Sequence, residues 1–207
     1  MPHLSLVRLV LRIVPLALLT SACWASSVGA QSVVAPADVP PPHERRVHWN
    51  IAAGSALEVA TAGGREGERG ALVAPAVDVR LASWFEYVIE GHVSRYFAPT
   101  GGTVAGVVPI GWRLHGRGPT QPYVSMGAGI VWTDFTDLRG IERRRNYLTQ
   151  VGAGVRRVTA GGATVSVEAR LFHLSNLSSA PPNLGIEVFT VLVAYRPGAG
   201  IKRTARR

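Results

Sequence analysis

Apolar and polar side chains alternate along the chain from Val47 onward, in segments of about ten residues that glycine, proline and charged residues separate. Such alternation is typical of β-strands with one apolar and one polar face, and no segment has the period of a helix. The pattern predicts eight strands, at roughly 47–60, 71–82, 84–95, 104–115, 122–133, 145–157, 163–175 and 185–196.

The two faces are clearest in the seventh predicted strand. One face carries Val165, Val167, Ala169 and Leu171, and the other carries Thr164, Ser166, Glu168 and Arg170. Alternation defines two faces but does not show which of them is in contact with water. A membrane barrel is favoured by the number and length of the strands, by aromatic residues near the ends of the apolar faces, and by alternating long and short connections. We therefore predict an all-β fold, an eight-stranded antiparallel transmembrane β-barrel of the cell outer membrane, at residues 47–196.

The long connections of this barrel, at 61–70, 96–103, 134–144 and 176–184, are expected to face outward. An eight-stranded barrel has an interior filled by side chains, so we expect no pore. Charged residues of the polar faces are expected to pair there: Asp78, Arg80, Glu86, Glu90, Arg113, Glu168 and Arg170. Pro109 fits this interpretation poorly, because proline removes a hydrogen-bond donor from a strand that has no free edge.

Three further segments flank the predicted barrel. Arg8 and Arg12 before an apolar run predict a signal peptide at 1–30 that is cleaved after Ala30. A proline-rich leader occupies 31–46, and a basic tail occupies 197–207. The single cysteine, Cys23, lies in the signal segment, so the mature chain has no thiol nucleophile or disulfide; lipidation of Cys23 is a less favoured alternative.

The formal net charge is +9, and loss of Arg8 and Arg12 leaves +7. Secretion argues against nucleic acid as a partner, and the arginines do not share a helix face. Several of them cluster in predicted loops, such as Arg143, Arg144 and Arg145. Basic loops suit an anionic surface such as phosphorylated lipid head groups, and a solvated loop that aids solubility is an equal alternative.

Candidate chemistry is concentrated at the end of the seventh strand. His173 and Ser175 share its apolar face, and antiparallel pairing about the 176–184 loop sets Glu187 of the eighth strand opposite His173. A histidine, a hydroxyl and a carboxylate are the groups that activate a serine nucleophile. They meet at the outer rim on the lipid side, where a purely structural trio of ionisable groups would be costly.

Two weaker interpretations of these residues stay open. A His-x-Ser pair at a strand end is often only an interfacial polar pair, and Asn-x-Gly is common in turns. The shared face and the carboxylate opposite His173 favour catalysis. In that case Asn183 and the backbone amides of 176–178 lie within reach of a tetrahedral oxyanion.

These motifs resemble the lipid A 3-O-deacylases of the outer membrane (PagL-type, also called acyloxyacyl hydrolases). The resemblance lies in His173-x-Ser175-Asn176 followed by Asn183-x-Gly185-x-Glu187, and more weakly in 122–129 and 148–155. It implies a triad of His173, Ser175 and Glu187, with Asn176 and Asn183 binding substrate. The family usually continues Ser-Asn with Ala-Gly, where this chain has Leu177-Ser178.

The sequence thus predicts a carboxylic ester hydrolase that removes an ester-linked acyl chain of lipid A, in the 3-O position by resemblance, without a cofactor. His48, His92 and His115 lack ligand spacing, so we expect no metal site. Lipid A or lipopolysaccharide and the membrane are the expected partners, and a homodimer stays open. The alternatives are a non-catalytic outer-membrane barrel, as a surface structure or adhesin, and a soluble periplasmic lipid-binding barrel.

Overall fold

The structure, a computed structural model, describes residues 47–61, 67–99, 101–135, 144–179 and 185–198. Within these ranges the chain forms eight strands: β1 (Val47–Thr61), β2 (Arg69–Ala82), β3 (Phe85–Ala98), β4 (Gly102–His115), β5 (Thr120–Thr133), β6 (Arg145–Val158), β7 (Thr164–Ser175) and β8 (Ile186–Arg196). Among the described residues, no helix is long and apolar enough to span a membrane. The predicted signal peptide, the leader and all but two residues of the predicted tail lie outside the described ranges.

Each strand pairs antiparallel with its neighbours in the chain, and β1 pairs with β8 to close an eight-stranded barrel. Closure leaves no strand edge with unpaired amides and carbonyls, which is the condition for a sheet that stands in lipid. The alternation therefore predicts both the number of strands and the fold class correctly.

The outward face of the barrel is apolar. Large exposed hydrophobic side chains include Trp49, Trp84, Trp132 and Tyr195 toward the strand ends, and Val77, Ile89, Val151 and Val193 between them. A soluble protein would bury such a belt, whereas the hydrocarbon of a membrane solvates it.

The lumen holds charged groups that neutralise one another. Glu86 is fully buried and forms salt bridges with Arg156 (2.8 Å), Arg113 (3.2 Å) and Arg196 (3.2 Å). Farther along the lumen, Arg170 bridges Glu90 (2.7 Å) and Glu168 (2.8 Å). Buried charge is tolerated when it is paired and hydrogen-bonded. In these networks the charged side chains therefore interact with one another in place of water.

Two details differ from the sequence-based expectation. The connection between β3 and β4 is only 99–101, because both strands extend into the segment 96–103 that the pattern predicts as a long connection. Pro109 is accommodated by register shifts of β4 against both neighbouring strands, so the missing amide falls where the regular pairing is interrupted. There the Tyr87 hydroxyl donates a hydrogen bond to the Pro109 carbonyl.

Candidate active site

His173 lies near the end of β7 and points away from the lumen. Its neighbours Phe172 and Leu174 are fully buried inside the barrel, whereas the His173 side chain is 40% exposed. Because successive side chains of a strand point to opposite faces, the lumenal position of Phe172 and Leu174 requires His173 to point outward. The imidazole is thus open to a molecule that approaches from the membrane.

Glu187 holds one side of this imidazole. The register pairs His173 with Glu187 across β7 and β8, as the sequence predicts, and Glu187 Oε1 lies 2.8 Å from His173 Nδ1. A carboxylate at this distance accepts a hydrogen bond from Nδ1–H, which leaves Nε2 as the basic nitrogen of the neutral ring. The pair therefore has the geometry of a general base with its orienting carboxylate.

Ser175 lies two residues beyond His173 on the same strand, at a separation of roughly 6 to 7 Å between Cα atoms. By its position in β7, Ser175 belongs to the same outward face as His173. Ser175 is nevertheless buried, and so are Leu174 and Asn176 on either side of it. The regular alternation of exposure therefore stops at the end of β7. The alternation predicts an open position for Ser175, and this prediction is wrong for its exposure.

That turn begins at Asn176, whose carbonyl accepts a hydrogen bond from the Ser179 amide at 3.1 Å. Leu177 and Ser178 have φ angles of 50° and 61°, in the left-handed region that residues other than glycine seldom adopt. Strained backbone of this kind is often found at functional sites. It brings consecutive backbone amides to the end of β7, next to Ser175.

The sequence-predicted site residues are thus placed unequally. His173 and Glu187 are in direct contact, Ser175 and buried Asn176 adjoin them in the chain, and Asn183 lies outside the described residues. Thr149 and Tyr147 of β6 pair with His173 and Ser175, and the sequence analysis does not assign them to the site. Only the strand register could have revealed them.

Within the described ranges, no group of three or more His, Cys, Asp or Glu side chains could hold a metal ion.

An apolar row lies directly beneath this site on the outward face. Leu171 pairs with Val151 on one side and with Phe189 on the other, two residues closer to the middle of the barrel than His173. The polar row of Thr149, His173 and Glu187 therefore borders an apolar surface. This arrangement suits a substrate that has a polar head and a hydrocarbon chain.

The closed eight-stranded barrel and its apolar outer belt define an outer-membrane β-barrel protein, with the His173–Glu187 pair on its membrane-facing side. A family model described as lipid A 3-O-deacylase (PagL) matches residues 47–196. The chain belongs to this family, and the family places it in the outer membrane. A search of curated protein sequences finds no match.

Solved structures support the same fold. The outer membrane enzyme PagL is 18% identical, with a TM-score of 0.57 over 70% of this chain and 97% of that one. Neisserial surface protein A (NspA) is 14% identical, with a TM-score of 0.53 over 74% of this chain and 97% of the other. Because both an enzyme and a surface protein have this architecture, the function has to be argued from the site.

Proposed function

We propose that the protein is a serine esterase of the outer membrane that hydrolyses an ester-linked acyl chain of lipid A, at the 3-O position. The observation that carries the proposal is the 2.8 Å contact between His173 Nδ1 and Glu187 Oε1 on the membrane-facing side of the barrel. An ionisable pair does not stabilise a barrel where it faces lipid. A substrate that is itself a lipid accounts for its position.

In the proposed mechanism, Ser175 is the nucleophile. Its Oγ attacks the ester carbonyl carbon while His173 Nε2 takes the hydroxyl proton, and Glu187 stabilises the resulting imidazolium. Collapse of the tetrahedral intermediate breaks the bond to the sugar oxygen, which receives the proton from His173. Water then attacks the acyl-serine with the same histidine as base, which releases a fatty acid and restores Ser175.

The negative oxygen of the tetrahedral intermediate needs hydrogen-bond donors. We assign this role to Asn183 and the backbone amides of the 176–178 turn, and we assign Asn176 to substrate binding. The left-handed φ angles of Leu177 and Ser178 support the assignment of the backbone amides, because they turn the chain at the end of β7. The apolar row of Val151, Leu171 and Phe189 is suited to the acyl chain, because moving a hydrocarbon tail from the bilayer to an apolar protein surface costs little free energy.

The proposal is tested by mass spectrometry of lipid A from cells that express the protein and from cells that lack it. Expression should convert lipid A to a species that is lighter by one acyl chain, and fragmentation should assign the loss to the 3-O position. Loss of an acyl chain from another ester position would change the assigned position and would leave the proposed esterase activity standing. Unchanged lipid A, despite a folded protein in the outer membrane, would favour the non-catalytic barrel.

Replacing Glu187 with alanine is expected to leave a measurable residue of activity. The carboxylate orients and stabilises the imidazole, but it exchanges neither atoms nor protons with the substrate, so its loss should lower kcat by roughly 10³- to 10⁴-fold. Purified protein acting on lipid A in detergent provides the measurement. Glu187→Gln is the matched control, because it retains the shape and an oxygen acceptor. Wild-type turnover in Glu187→Ala would exclude Glu187 from the mechanism.

A further inference from the structure

Gly185 lies against the imidazole of His173. It immediately precedes β8, it is buried, and its φ angle is +70°. A Cβ atom at this position would lie 2.4 Å from His173 Cε1, 3.2 Å from Nε2 and 3.3 Å from Nδ1. Cε1 is the ring carbon between the two nitrogens, so Gly185 faces the edge of the ring on which both nitrogens lie.

We infer that Gly185 is a positioning residue, which sets the orientation of the His173 imidazole by lacking a side chain. This inference rests on the proposed function of His173 as general base. The ring edge occupies the space that any other residue would fill with its Cβ. In that orientation Nδ1 meets Glu187 at 2.8 Å, and Nε2 remains on the other side of Cε1 to receive a proton.

The imidazole ring of His173 is freer to move than the backbone next to it. The ladder between β7 and β8 runs from Thr164↔Arg196 to Leu174↔Ile186, so it includes His173 and ends at Ile186, the residue after Gly185. Gly185 is bonded directly to this ladder, so its backbone shifts less readily than the half-exposed ring, which can rotate about its side-chain bonds to avoid a Cβ atom at 2.4 Å. A larger residue at 185 should therefore turn the ring away and break the alignment with Glu187.

Two effects of a substitution at Gly185 have to be separated, because glycine also relieves the left-handed backbone. Asparagine tolerates positive φ better than alanine, yet it carries the same Cβ. Gly185→Asn therefore reduces the backbone strain and retains the clash. Gly118, in the link between β4 and β5, offers the converse control: its φ is +92°, and a Cβ there would meet nothing within 4 Å.

The experiment measures kcat and KM of purified, folded Gly185→Ala, Gly185→Asn and Gly118→Ala on lipid A in detergent. Both Gly185 variants should lose about 10²-fold in kcat with little change in KM, because a displaced base affects the transition state more than substrate binding. Gly118→Ala should retain wild-type kinetics. The double variant Gly185→Ala with Glu187→Ala should lose far less than the product of the two single losses, because both act through His173.

Wild-type kcat in both Gly185 variants would overturn the inference, and so would multiplicative losses in the double variant. Recovery in Gly185→Asn alone would assign the effect to backbone conformation and would also overturn it. The serine-esterase proposal is judged separately by Ser175→Ala. If that variant is inactive while Gly185→Ala is fully active, the proposed function stands and the role of Gly185 is wrong.

Discussion

Replacing Ser175 with alanine is expected to abolish deacylation of lipid A, by on the order of 10⁶-fold, while the barrel remains folded. The substitution removes the only protein atom that bonds to the acyl carbon in the proposed mechanism. It deletes one oxygen from a side chain on the outward face, so the lumenal networks that hold the barrel are untouched. The measurement is lipid A acylation in cells that express the variant at wild-type level, with folding verified by a shift in gel mobility on heating.

His173→Asn should be as damaging as Ser175→Ala, because a nucleophile without its base is as inactive as a base without its nucleophile. Glu187→Ala, with an expected loss of roughly 10³- to 10⁴-fold, should be at least 100-fold less damaging. This unequal pattern distinguishes a triad from three polar residues that merely stabilise the rim. For such residues the loss of activity in each variant would not depend on whether the side chain acts as nucleophile, base or orienting carboxylate.

A second His-x-Ser pair in the lumen provides a matched control. His92 and Ser94 are fully buried on β3, with Ser94 Oγ 3.3 Å from His92 Nε2. The spacing equals that of His173 and Ser175, but no lipid reaches the lumenal pair. Ser94→Ala should therefore retain full activity per folded molecule. Activity that persists in Ser175→Ala, or disappears in Ser94→Ala, would contradict the assignment.

Replacing Glu86 with alanine is expected to destabilise the barrel by about 3–5 kcal/mol, the range for removing one partner of a buried ion pair. Glu86 is fully buried and neutralises Arg113, Arg156 and Arg196. Its removal leaves these guanidinium groups to repel one another in the lumen, with Asp78 as a partner of Arg113 only, at 3.2 Å. Glu86→Gln, which retains two hydrogen-bonding atoms, should be less severe.

Denaturant unfolding of the barrel in lipid vesicles measures this effect. Asp134→Asn is the control, because the salt bridge between Asp134 and Arg95 is long (3.9 Å) and its side chains are more than half exposed. Such surface pairs contribute at most about 1 kcal/mol. Equal unfolding midpoints for Glu86→Ala and the wild type would show that the lumenal network does not stabilise the fold. Activity per folded molecule should be unchanged, since Glu86 lies at the opposite end of the barrel.

The sequence by itself determined the eight strands, the closed barrel and the pairing of His173 with Glu187. These features depend on local order: a period of two residues assigns each side chain to a face, and a hairpin sets the register of its two strands. The site residues could be nominated in the same way, because His173 and Glu187 belong to adjacent strands of one hairpin. The catalytic roles of these residues stay predictions.

Only the tertiary structure decided which distant residues meet. Arg156 and Arg196 reach Glu86 across the lumen from strands that do not pair with β3, so no local pattern brings them together. The burial of Ser175 departs from the alternation of exposure along β7, and the approach of Gly185 to His173 depends on where the chain re-enters β8. Alternation determines the direction of a side chain, whereas its neighbours across a closed barrel depend on the curvature and closure of the whole sheet.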